Sequence, residues 1–227
     1  MTLRGIVKAT AVLAAAVLLV GAGQPRANWH TVMSRTELGN RVGNPNARAK
    51  VVEFFSYTCP HCAEFATESD AALKLGYLAQ GKISIEYRHL IRDPVDLTVG
   101  MLVNCGAPAK FLGNHDAFLL TQSRWAGPLA SHTPAQEARW RTAGAVGRRA
   151  IATDFGFYAI MERRGYTRTV VDRCLADEAL AQRIADTAAK EWDRPGVDGT
   201  PTFAINGVVM PGTHTWASLQ RQLDEFL

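Results

Sequence analysis

The chain has 227 residues, of which 47% are hydrophobic and 20% charged, with a formal net charge of +4. That length and composition suit one substantial core with an elaboration, or two small domains, and exclude a disordered or low-complexity chain. The positive balance is too weak to argue for nucleic acid as a partner.

The N-terminus stands apart from the rest. Arg4 and Lys8 precede and flank an apolar run over residues 9–20, rich in Ala, Val and Leu and closed by Gly21, Ala22 and Gly23. This is the pattern of a secretory signal peptide over residues 1–22, too short and too rich in small residues for a membrane span. Cleavage is expected after Ala22, with Ala27 as the next choice and an uncleaved anchor as the alternative. No cysteine lies nearby, so a lipoprotein anchor is not expected. Loss of Arg4 and Lys8 leaves a formal charge of +2. Four cysteines in a secreted chain fit an oxidising compartment.

Residues 28–46 are polar and turn-rich, and 41–46 read as a loop. Residues 51–56, Val-Val-Glu-Phe-Phe-Ser, are apolar on both alternating faces, the pattern of a central strand covered on both sides. Glu53 is the anomaly in it. A carboxyl group between Val52 and Phe54 is either desolvated, and then able to take the proton of a nearby thiol, or it is an edge-facing solvated residue. The functional reading is preferred because the cysteine motif follows at once.

That motif is Cys59-Pro60-His61-Cys62. Two cysteines separated by two residues, at the junction of an apolar strand and a helix, suit redox chemistry. Pro60 has a fixed φ and no N–H, so it fits the first helical position and makes Cys59 the N-cap. The sulfur then faces unpaired N–H groups, including those of His61 and Cys62, and the positive end of the helix dipole, both of which favour a thiolate. His61 can add a proton donor or a positive charge, and Cys62, one turn in, is expected to be more buried and less acidic. Whatever stabilises the Cys59 thiolate stabilises the reduced protein and makes the disulfide more oxidising. A zinc half-site or a structural disulfide is the bland alternative, but zinc needs a second ligand pair that the spacing does not supply. Ala63 after the second cysteine rules out the haem-attachment pattern. No cofactor is expected.

The first helix should run over 60–79 with Cys62, Phe65, Ser69, Ala72, Leu73 and Gly76 inward. Residues 82–90 alternate as a strand reached by a crossover helix, with His89 packed or hydrogen-bonded at its end. From 93 to 190 the strand signal vanishes. Residues 95–105, 109–122, 135–143, 145–152, 155–164, 169–176 and 178–191 read as helices. Trp125, Trp140, Phe155, Phe157 and Tyr158 should build their core, and His115, Asp116 and His132 lack metal-binding spacing. Cys105 and Cys174, in two different helices, are expected to form a disulfide closing a long loop; two buried thiols or a relay with Cys59 are the alternatives. Gly199-Thr200-Pro201 opens a strand. A cis peptide there would turn the Thr200 backbone toward the cysteines, free to pair with an extended substrate, although a trans turn proline is equally compatible with the residues alone. Asn206-Gly207 marks a hairpin, and Thr215 caps a last helix carrying Trp216, Leu219, Leu223 and Phe226 on one face.

Glu-Phe-Phe-Ser followed closely by Cys-Pro-His-Cys, with Gly-Thr-Pro-Thr-Phe at 199–203, resembles the DsbA-like thioredoxin-fold thiol:disulfide oxidoreductases over nearly the whole chain after residue 22. The resemblance implies an α/β thioredoxin fold in two parts, 23–90 and 191–227, around an all-helical insertion over 91–190. It implies Cys59 as nucleophile, Cys62 as resolving cysteine, Pro201 as the cis-proline against the disulfide and Glu53 as the buried carboxyl group below it. Some alphaproteobacterial relatives carry a second cysteine pair, which Cys105 and Cys174 resemble. The expected role is a periplasmic, monomeric oxidase of cysteine pairs in newly secreted proteins, reoxidised by a quinone-linked membrane protein of the DsbB type. An isomerase or reductase kept reduced by a membrane donor is the runner-up, because Thr rather than Val before the proline resembles isomerase and thioredoxin relatives. A redox-inactive peptide- or copper-binding protein is the alternative from another class.

Overall fold

The computed structural model describes residues 28–227, so the expected signal peptide lies outside the described residues. Two short strands come first, β1 (Met33–Arg35) and β2 (Asn40–Gly43), then β3 (Ala49–Phe55). A helix α1 (Pro60–Ala71) runs directly into a π-helical stretch, Ala72–Leu78, and the chain returns in β4 (Ile83–His89). The helical stretch follows: α2 (Pro94–Val103), α3 (Phe111–Leu119), α4 (Gln122–Trp125), α5 (Gly127–Ala130), α6 (Pro134–Trp140), α7 (Gly144–Asp154), α8 (Phe157–Arg163), α9 (Arg168–Leu175) and α10 (Glu178–Trp192). A hairpin of β5 (Thr202–Ile205) and β6 (Val208–Val209) and a last helix, α11 (Trp216–Phe226), complete the chain.

The six strands form one sheet in the order β1-β2-β4-β3-β5-β6. β3 pairs with β4 in parallel and with β5 antiparallel, so Glu53 lies between Tyr87 and Phe203 at the centre of the sheet. Val51 and Phe55 join the core that contains Phe65, Phe203, Leu219 and Leu223, whereas Phe54 packs on the other side with Leu90, Val197 and Trp192. Both faces are covered, as the unbroken apolar run requires. β3 and β4, joined by α1, share this sheet with β5 and β6, although α2 to α10 lie between them in sequence. Asn206 and Gly207 turn the hairpin at φ of 50° and 88°, both in the left-handed region that this turn demands.

Three local expectations are corrected. Residues 41–43 form part of β2 rather than a loop, since tertiary pairing outweighs their turn-like composition: Val42 is fully buried opposite Ile85, and Arg41 reaches Glu86 at 2.8 Å. Gly43 then ends the strand at φ +104°, where a Cβ would lie 2.7 Å from the Ile83 carbonyl oxygen. The π-helical stretch shifts the inward face at the end of the first helix, so Tyr77 and Leu78 are buried while Ala72 and Gly76 are only half-buried. In β4 the expected solvent-facing Ser84 and Glu86 are buried too, and Glu86 is held by Arg41 and Arg88.

The helical stretch shares its core with the sheet. Trp125, Trp140, Phe155 and Phe157 stack among themselves and continue the cluster that holds Phe55 and Tyr87, and α10 packs on both α2 and β4. Cys105 and Cys174 are joined by a disulfide with their Cα atoms 5.7 Å apart and a separation of 69 positions in sequence.

The first turn of α2 fastens this stretch to the segment before the cysteine motif. Asp93 is the N-cap and accepts from the Asp96 N–H, and Pro94 sits inside the first turn. Asp96, fully buried, accepts from the Ser56 hydroxyl at 2.6 Å and from the N–H groups of Tyr57 and Arg92 at 2.8 and 3.0 Å. His89 Nε2 donates to the same carboxylate at 2.6 Å, and the Thr58 hydroxyl donates to Asp93 at 2.7 Å.

Two stability outcomes follow from these ties. Asp96→Ala strands buried donors in three segments and is expected to lower the unfolding free energy by about 3 kcal/mol or more, against a smaller loss for Asp96→Asn; urea titrations giving less than about 1 kcal/mol for the alanine variant would contradict this assignment. Replacing Cys105 and Cys174 together by Ala, with Cys59 and Cys62 kept reduced, should cost about 4 kcal/mol if loop entropy dominates, read as a lower urea midpoint.

Candidate functional site

The cysteine motif sits where β3 gives way to α1. Cys59 is the N-cap of α1 in extended backbone conformation, and Pro60 occupies the first turn. The two sulfurs are present as free thiols, and both residues are nearly covered, Cys59 at 3% exposure and Cys62 at 0%. The difference in burial anticipated from the sequence is therefore small at the level of whole residues. The difference in acidity is large.

The Cys59 thiol is lowered to about 5, most of all by the Cys62 thiol that donates toward it. Burial works in the opposite direction, while the Thr200 hydroxyl and the N–H groups of Cys62 and His61 lower it further. Neither N–H closes a full capping hydrogen bond on the sulfur, so the helix terminus acts here through its field as much as through a bond. Burial pushes the Cys62 thiol well above its ordinary range, with help from its link to Cys59 and from the charges on Cys59 and Glu53.

His61 contributes differently from expectation. Its ring is 74% exposed, with Nδ1 3.4 Å from a Glu64 carboxylate oxygen. What it offers Cys59 is its backbone N–H. The reason is geometric: the second helical residue of this turn points its side chain outward while its N–H faces the N-cap.

Across from the motif, the Thr200–Pro201 peptide is cis. The Thr200 carbonyl accepts from the Cys59 thiol at 3.2 Å. Pro201 is buried, and its carbonyl accepts from His214 Nδ1 at 2.8 Å, a contact that ties the strand to the segment before α11. Below the motif, Glu53 is 2% exposed, and burial pushes its carboxyl up to about 8. Its Oε1 is buried with no hydrogen-bond partner among the protein groups.

Cys59, Cys62, Thr200, Pro201 and Glu53 are thus brought together, with His61 at the rim. Cys105 and Cys174 are bonded to each other, so the relay with Cys59 and the pair of buried thiols considered from sequence do not arise. Sequence reasoning missed Asp96, Gln122 and His214. Gln122 Nε2 donates to the carbonyls of both Tyr57 and Cys59, at 2.7 and 2.9 Å. The Asp93-Pro94 helix-start signal was legible in the sequence, but nothing local says where the Asp96 carboxylate points. Gln122 and His214 carry no signal of their own.

Residues 35–225 match the thioredoxin family model. A protein-disulfide isomerase from Novosphingobium aromaticivorans is 46% identical, over 82% of this chain and 96% of that one, with a TM-score of 0.78. The alpha-DsbA1 of Wolbachia pipientis shares the fold at 19% identity, over 82% of this chain and 89% of that one, with a TM-score of 0.66. A Rickettsia bellii protein, provisionally named a protein-disulfide oxidoreductase, is 29% identical over 74% of this chain and 56% of its own length. The chain spans little more than half the length of the curated relatives it matches. With this sheet, this helical stretch between β4 and β5, and a family match over most of its length, the chain belongs to the thioredoxin family and has the DsbA-like form of its fold.

Proposed function

We propose that the chain is a thiol:disulfide oxidoreductase that oxidises cysteine pairs in secreted proteins, in the periplasm, with Cys59 as nucleophile and leaving group and Cys62 as resolving thiol. The observation that carries this reading is the opposed acidity of two neighbouring sulfurs, one lowered to about 5 and the other raised by burial. A substrate thiolate attacks Cys59 of the disulfide form, and Cys62 departs and takes a proton. The second substrate thiolate then attacks its own sulfur in the mixed disulfide and expels Cys59 as a stable thiolate. Overall, protein disulfide and substrate dithiol become substrate disulfide, Cys59 thiolate, Cys62 thiol and one released proton.

Glu53 is the group we assign to give Cys62 its proton, and to remove it on reoxidation, because it is the unpartnered buried carboxyl group whose charge acts on Cys62. Thr200, whose carbonyl faces Cys59, is assigned to pair with an extended substrate backbone. Pro201 and Pro60 hold the two walls of the site. Reoxidation is assigned to a quinone-linked membrane partner of the DsbB type, and the working unit to a monomer. A second reading, an isomerase or reductase kept reduced, draws on Thr200 before the cis-proline and on the name of the Novosphingobium relative.

The reduction potential of the Cys59/Cys62 pair against glutathione separates the two: a value well above the glutathione pool supports the oxidase, and a thioredoxin-like value sinks it. Thiolate absorbance of the reduced protein should titrate at about 5 and vanish in Cys59→Ser. The sign follows from a depressed folded pKa: the reduced form's advantage is fully present above the ordinary thiol range and is lost as pH falls through about 5. Glu53 has the opposite sign. Its raised pKa makes ionisation costly, so the stability of Glu53→Gln relative to the native chain should climb as pH rises from 4.5 to about 8 and then level off. A flat difference across that window would remove the basis for a protonated Glu53.

A further inference from the structure

A proton handled by Glu53, which is 2% exposed, has to cross from the core to solvent. The structure offers a way out. The unpartnered Glu53 oxygen belongs to a residue lining a cavity of about 20 Å³, large enough for one water. The same cavity is lined by Asp70 and Lys74 of the first helix and its π-helical continuation, and by Asp116 of α3. Lys74 donates to Asp116 at 2.7 Å and also to Asp70, and all three side chains keep some contact with solvent, at 20% for Lys74, 27% for Asp116 and 38% for Asp70.

We infer that the proton exchanged by Glu53 travels through this cavity, by way of one water and the Asp116 carboxyl group, with Lys74 as the residue that positions Asp116. The inference rests on the assignment of Glu53 as the proton partner of Cys62. When Cys62 leaves as a thiolate, Glu53 gives it a proton and becomes a carboxylate; the water protonates Glu53 and is reprotonated by Asp116, which reloads from solvent. On reoxidation each transfer reverses, and no electron moves along the path.

Of the two carboxyl groups that line the cavity, Asp116 is the more enclosed, 27% exposed against 38% for Asp70. Burial pushes the Asp116 carboxyl above its ordinary value against the pull of Lys74, which brings it closer to neutral pH. Burial opposes the charge on Lys74, but its two carboxylate partners outweigh that and keep it protonated, so it holds rather than carries. His115, from the same α3, is lowered to about 3 by burial and stays neutral. The phenols of Tyr87 on β4 and Tyr57 after β3 are raised by burial and hold their protons. The π-helical stretch also has a use in this arrangement, since its widened turn lies where Lys74 meets both carboxylates.

The purely structural account is that Lys74 pins α3 to the first helix. Stopped-flow reduction of the oxidised chain by a small dithiol, over the pH range in which Glu53 and the thiols titrate, distinguishes the two. Asp116→Asn and Lys74→Met are each expected to slow the Cys62-dependent step about tenfold, below the full effect of losing a general acid. Added acetate or imidazole should restore the rate in Asp116→Asn, because a small acid can stand in for a relay and not for a clamp. Slowing with a lowered melting temperature and without buffer rescue assigns the trio to packing and overturns the path. Native rates in both variants beside a slow Glu53→Gln overturn the path and leave Glu53 as the proton partner. A native rate in Glu53→Gln as well overturns both.

Discussion

A carboxylate with no access to water is stable only when its oxygens are met by donors, and Asp96 meets this condition by drawing donors from three places in the chain. The Ser56 hydroxyl and Tyr57 N–H come from the segment leading into the cysteine motif, His89 from the end of β4, and Arg92 from the approach to α2. Gln122 completes the arrangement from the other side by donating to the carbonyls of Tyr57 and Cys59. The polar backbone of a buried loop is thereby satisfied by the helical stretch rather than by the sheet. The helices between β4 and β5 are for this reason part of the support of the cysteine motif, and the continuous core they share with the sheet agrees with that.

Once the loop is fixed, burial raises both thiols, yet two sulfurs a single turn apart end with opposite acidity. Both lose water. Cys62 has little to offset the loss, and its thiol is raised, whereas Cys59 has the Cys62 thiol, the Thr200 hydroxyl and two N–H groups directed at it, which together outweigh desolvation. The asymmetry therefore comes from the desolvation of Cys62 together with the donors directed at Cys59. His61 illustrates the same rule, since its exposed ring contributes less than its N–H.

Much of this was legible in the sequence where the information is local. The doubly covered β3, Pro60 behind an N-cap Cys59, the Asn206-Gly207 hairpin and the Thr215 cap all depend on neighbours within a few residues. The helical reading of 93–190 held for a similar reason, since periodicity and Pro, Gly and Asp breaks are local signals. What escaped was long-range. β2 is a strand because β4 is beside it, and Arg41, Val42 and Gly43 carry no pattern strong enough to announce that. The π-helical turn follows from fitting Tyr77 and Leu78 into the core. Asp96 and Gln122 look like an ordinary first-turn acid and an ordinary helix-end amide until the fold places them against residues 57–59.

The same arrangement bears on how long a mixed disulfide would last. An acidic Cys59 is a nucleophile at neutral pH in an oxidase and in an isomerase alike, so its pKa does not by itself fix the direction of exchange. The fate of the mixed disulfide is decided by Cys62. While Cys62 remains a thiol it cannot attack, and its raised pKa makes spontaneous ionisation rare. With Glu53 as its proposed proton partner, a carboxyl raised to about 8 beside a cavity with room for a water favours transfer in either direction. Rapid exchange of that proton shortens the mixed disulfide on the return path and lets Cys62 depart readily on the forward path.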